Sequence, residues 1–169
     1  MSTTNTSFDL ERLLYKVNSA LDDSDESPSE VLVRICELLK ERELPVSLAC
    51  CWAKGTNSAS GNRKPFEFED HCLVMAGQLY NFNGKVKKDD IADCVGDQLL
   101  DEYIRAVVDP GETELGWDMD AVYRDPLYLT QETNNFLLHL VEQEISHMQH
   151  TQLQERITPA PPKRATARL

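Results

Sequence analysis

The chain lacks several features that would have named a function. Its five cysteines, Cys36, Cys50, Cys51, Cys72 and Cys94, contain no CxxC pair and are odd in number. That pattern excludes a disulfide framework and argues against a structural zinc site. It reads as reduced thiols in a cytoplasmic protein. No apolar run approaches the ~18 residues of a membrane span, and the polar N-terminus does not read as a secretory signal. There is no glycine-rich phosphate loop and no internal repeat. Positive charge is scarce. Lys and Arg number 17 against 29 Asp and Glu, a formal charge of -12, which argues against non-specific binding of nucleic acid or anionic membrane. No cofactor is implied.

What the chain has is a hydrophobic share of 41% over 169 residues, enough for one domain with a sizeable core. Residues 1–6 read as a flexible polar tail, 7–157 as a single α+β domain, and 158–169 as a basic Pro-rich tail with Lys163, Arg164 and Arg168. Ser7 can cap a first helix whose stripe is Leu10, Leu13, Leu14, Val17 and Leu21. Ser27-Pro28-Ser29-Glu30 supplies a complete helix start, followed by Val31, Ile35, Leu38 and Leu39 on one face. Residues 46–52 alternate as a strand, with Val46, Leu48, Cys50 and Trp52 on one side and Ser47, Ala49 and Cys51 on the other. Residues 54–65 predict a mobile loop. A third helix is expected from Asp89 or Asp90, with Ile91, Val95, Leu99, Tyr103 and Val107 as its stripe. An acidic loop carrying Trp117 should follow, then a short strand at 127–129 and a long helix over 131–156. The expected architecture is a small antiparallel sheet of 46–52, 71–75 and 79–82 packed against several helices.

The stretch with most potential for chemistry is 70–84, two strands joined at Gly77. A two-residue turn at Gly77-Gln78 would pair Leu73 with Phe82 and leave His71 on an apolar face. A three-residue turn, Ala76 to Gln78, would pair Leu73 with Asn81 and His71 with Asn83. The second is expected, because it groups His71, Asn81 and Asn83 and leaves Val74, Tyr80 and Phe82 to face the helices.

The order of helix, Leu44-Pro45-Val46 strand, loop, His71 strand and Asn81 strand resembles the core of transglutaminase-like and papain-like thiol hydrolases over residues 27–84. In that family a cysteine opens the helix, a histidine begins the next-but-one strand, and an Asp or Asn on the following strand orients it. His71 and Asn81 match. The helix start carries Ser27 and Ser29 where the family has its cysteine, so the resemblance implies a core without thiol catalysis. Cys51-Trp52-Ala53 echoes the Cys-Trp-Ala of papain-type proteases, and Cys94, after His71, has the order of permuted LRAT-like thiol hydrolases. A strand thiol at Cys51 has no helix N-terminus to stabilise its anion, and Asp89, Asp90 and Asp93 would disfavour a thiolate at Cys94.

Glu144, His147 and His150 carry one Glu-x-x-His, which a di-iron bundle needs twice, so they are expected as a solvated polar face. Asp118 and Asp120 lack the rest of a calcium loop. No metal ligand set is assigned. The first expectation for function is a non-catalytic, acidic protein-binding module, an inhibitor or adaptor whose partner has a basic surface; a mimic of nucleic-acid charge is its narrower form. The alternative is a thiol hydrolase or glutamine deamidase using Cys51 or Cys94 with His71 and Asn81.

Overall fold

A computed structural model describes residues 8–22, 24–57, 64–87 and 114–157. Three helices and five strands occur among them: α1 (Leu10–Ala20), α2 (Pro28–Glu41), β1 (Val46–Asn57), β2 (Lys64–Met75), β3 (Gln78–Asn81), β4 (Gly84–Val86), β5 (Glu114–Asp118) and α3 (Gln131–Ile157). The expected tails, the helix carrying Cys94, and the middle of the 54–65 loop lie outside the described residues. The chain is α+β, with an antiparallel sheet in the order β4-β3-β2-β1-β5 and a long C-terminal helix. No described helix is long and apolar enough to cross a membrane.

The helices form where apolar spacing and caps agree. Asp9, rather than Ser7, caps α1 by accepting the Arg12 N–H at 2.9 Å. Leu10, Leu13, Leu14 and Val17 are then buried on one stripe. Ser27 caps α2, with Pro28 at its first turn, where a missing N–H costs nothing. Thr130 caps α3 through its hydroxyl, which accepts the Thr133 N–H at 3.1 Å. All three helices lie on one face of the sheet, where Ile35, Leu38, Leu39, Leu137 and Val141 meet Leu48, Leu73 and Met75. The other face is buried as well, around Ala49, Cys72 and Leu79 with Val74, Val86 and Trp117 against them.

The strands are longer than their apolar patterns predict. β1 and β2 pair without a bulge from Val46↔Met75 to Asn57↔Lys64, so both ends of the expected loop are ladder. The acidic stretch expected as a loop contains β5, which pairs with β1 from Cys50↔Asp118 to Lys54↔Glu114. Among the described strands it lies at the sheet edge, where charged residues suit the solvent-facing side. Gly116 permits it to approach: a Cβ there would lie 2.4 Å from Trp52 Cζ2. Residues 127–129 are not a strand. The irregular segment 121–130 packs Ala121, Tyr123, Leu127 and Leu129 against the helix-side core.

The β2–β3 register differs from both expected turns. The turn is Ala76-Gly77, with φ of 53° and 76°, and pairs Met75↔Gln78, Val74↔Leu79 and Leu73↔Tyr80. Positive φ at both turn residues is the type I′ signature, whose twist matches the flanking strands; alanine is an uncommon occupant of its first position. This register buries Leu79 on the second face and sends Tyr80 and Phe82 to the helix side. Val74, expected on the helix side, faces the other way.

Glu144 is also not solvated. It is 2% exposed and bridges α1 to α3, accepting Arg12 Nη2 at 2.8 Å and Lys16 Nζ at 2.9 Å. Burial by itself would raise its pKa, but the hydrogen bonds from Arg12 and Lys16 outweigh that and hold the carboxyl below its usual range. His147 and His150, by contrast, are exposed.

Candidate functional site

The first turn of α2 lies against the helix-side face of β2. There Ser29 Oγ and His71 Nδ1 are 3.2 Å apart. The chain builds this contact from three local choices. The Ser27 cap and Pro28 fix where α2 starts, so Ser29 sits in its first turn. The unbroken β1–β2 ladder puts His71 on the helix side, directly opposite Cys50. The 121–130 segment then crosses over both. Tyr123 sets its ring edge-on to the imidazole, with centroids 5.5 Å apart and planes at 75°. Tyr128 N–H donates to Glu30 Oε1 at 2.7 Å, tying the segment to the same helix turn.

The imidazole is 7% exposed, and burial lowers its pKa below the ordinary histidine value, with Glu69 opposing. His71 is therefore neutral at pH 7. Cys50, its cross-strand neighbour, is 4% exposed. Burial pushes its thiol up to about 12, and the nearby charges of Glu69, Asp118 and Asp70 add to the rise. The thiol donates to the Cys51 carbonyl at 3.6 Å. Cys50 is thus a protonated thiol and a poor nucleophile. Glu69, two residues before His71 on the same face of β2, completes a group in which Sγ, a carboxylate oxygen and a ring nitrogen all lie within 4.8 Å of one another.

The other expected site residues are not brought to His71. Cys51 pairs with Asp70, so its side chain points to the opposite face of the sheet. Asn81 follows Tyr80, which pairs with Leu73, so it too is on the face away from His71. Its Oδ1 instead accepts the Asn83 N–H at 2.8 Å inside the β3–β4 turn. The physical reason is the one-residue difference in turn length, which exchanges the two faces of β3. Cys94 lies outside the described residues. The first turn of α2 and His71 meet, and the group facing the imidazole there is the Ser29 hydroxyl.

Ser29 was visible in the sequence as the residue standing where a cysteine would be expected. The sequence does not single out Cys50 and Glu69 as neighbours of His71, because the β1–β2 register that pairs Cys50 with His71 and sets Glu69 two residues along has no local sequence signal. Tyr123 carried no signal, because it comes from an irregular segment. Compared with family models, with curated proteins and with solved structures, the chain matches none.

Proposed function

We propose that the chain is a non-catalytic, acidic protein-binding module, of inhibitor or adaptor type, built on a core that has the transglutaminase-like order without its thiol. The observation that carries this reading is the Ser29–His71 contact at 3.2 Å. The position from which a thiol would attack holds a hydroxyl, a far weaker nucleophile at neutral pH, and the imidazole is buried rather than presented. The nearest described thiol, Cys50, is held protonated by its surroundings. Two observations favour binding. The formal charge is -12, which suits a partner with a basic surface. Beside the site, the 121–130 segment leaves Val122 71% and Tyr128 77% exposed, apolar surface of the kind that interfaces cover.

Alkylation of the full chain by iodoacetamide at pH 7, followed by mass spectrometry, tests this. All five cysteines should label no faster than a small-molecule thiol. One fast-labelling cysteine, Cys94 above all, would return the thiol hydrolase or glutamine deamidase to first place.

A second reading has one observation in its favour. A neutral imidazole within hydrogen-bond reach of a serine in the first turn of a helix is also the beginning of a hydroxyl-based hydrolase site.

A further inference from the structure

Cys50, Glu69 and His71 offer three different donor atoms on one face of two adjacent strands. Cys50 and His71 are directly paired, and Glu69 is the next residue of β2 on that face. All three donor atoms lie within 4.8 Å of one another. Ligands on one tetrahedral zinc are roughly 3.3–3.8 Å apart, given ordinary zinc–ligand bond lengths. Small side-chain rotations therefore close the set. Glu69 is exposed and free to make the largest of them, while Cys50 and His71 are buried and held by the sheet.

We propose that Cys50, Glu69 and His71 form a binding site for one zinc-type divalent cation, with a fourth position open to a small ligand. The chemistry of the donors selects the metal. Sulfur and imidazole favour zinc over magnesium or calcium, and three protein ligands leave the fourth tetrahedral position for water or a small ligand.

The surroundings fit. A ligating histidine ordinarily has its other ring nitrogen hydrogen-bonded, and Ser29 Oγ offers that partner at Nδ1 when Nε2 ligates. Tyr123 braces the ring from its edge. Asp118 faces Cys50 from β5 and Asp70 adjoins His71, so the site lies in a negative field. That field opposes a bare thiolate and attracts a cation, so the metal supplies the charge that lets Cys50 ligate. The inference stands apart from the binding-module reading, since a binding protein and an enzyme could each hold such an ion.

The full chain, reduced and stripped with a chelator, is titrated with Co²⁺ and then with Zn²⁺. Saturation at one equivalent is expected, with a thiolate-to-cobalt charge-transfer band and tetrahedral ligand-field bands that Zn²⁺ abolishes. Cys50→Ser should remove the charge-transfer band and Cys51→Ser should keep it. Glu69→Gln, at an exposed position that leaves folding intact by circular dichroism, should weaken Co²⁺ binding ~10-fold or more. Absence of the charge-transfer band, its survival in Cys50→Ser, or unchanged affinity in Glu69→Gln would each overturn the site.

Discussion

Glu144→Gln probes a buried charge that joins α1 to α3. Glutamine keeps the shape and removes the charge. The carboxylate of Glu144 accepts three hydrogen bonds: Arg12 Nε at 3.1 Å, Arg12 Nη2 at 2.8 Å and Lys16 Nζ at 2.9 Å. Breaking a fully buried pair costs ~3–5 kcal/mol, largely because the remaining charge is stranded. Here the stranded charges would not be fully buried, since Arg12 is 36% and Lys16 42% exposed and both can turn to water. Solvent screening therefore discounts the figure, and a loss of about 1–3 kcal/mol at pH 7 is expected. The pH dependence is a sharper signature. The folded carboxyl titrates below its ordinary value, so its stabilisation is fully present above the unfolded pKa of ~4.3 and is lost as pH falls through the folded one. Urea unfolding of both proteins from pH 7 to pH 3 should show the gap between them closing on the acid side. A gap within ~0.5 kcal/mol at pH 7, the ordinary range of a surface substitution, would refute the reasoning. So would a gap that stays constant to pH 3.

Three further outcomes follow from the packing. Leu73→Ala should destabilise by about 2–5 kcal/mol, because Leu73 is fully buried on the helix-side face; an unchanged thermal melt would contradict its place in the core. Gly116→Ala should cost ~1–3 kcal/mol by driving a methyl into the Trp52 ring, and the loss should shrink in a Trp52→Ala background, measured as a double-mutant cycle by urea unfolding. His71, neutral when folded, has a depressed pKa, so it contributes stability above pH ~6.5 that is lost as pH falls through the lower folded value. His71→Gln should flatten urea midpoints between pH 8 and pH 5, a window separate from that of Glu144; an unchanged slope there would count against burial of the neutral ring.

The elements that could be read from the sequence were those whose signals were local. The α2 start was legible because Ser27, Pro28 and the apolar residues after them agree, and its buried face follows directly. β5 was not, because an edge strand of five residues with two acidic ends has the composition of a loop; its partner β1, not its own pattern, makes it a strand. The Ala76-Gly77 turn was missed because alanine at positive φ is uncommon, and that one residue decided the face on which Asn81 lies. The burial of Glu144 is not legible in the sequence, because its partners are more than 120 residues away and no spacing rule reaches them. At the site, His71 and the serine-bearing helix start were legible, and the resemblance implied that they lie close; the contact of Ser29 itself with His71 Nδ1 was not. It depends on tertiary packing, and Tyr123 comes to it from a segment with no regular structure.

Under the binding-module proposal, Ser29 and His71 form a structural contact and not a nucleophile with its base. Treatment of the full chain with a fluorophosphonate, with adducts mapped by mass spectrometry, tests it most directly. The account predicts no adduct at Ser29 above the level of exposed serines, in the wild type and in His71→Gln alike. A Ser29 adduct that forms rapidly in the wild type and is lost in folded His71→Gln would contradict it.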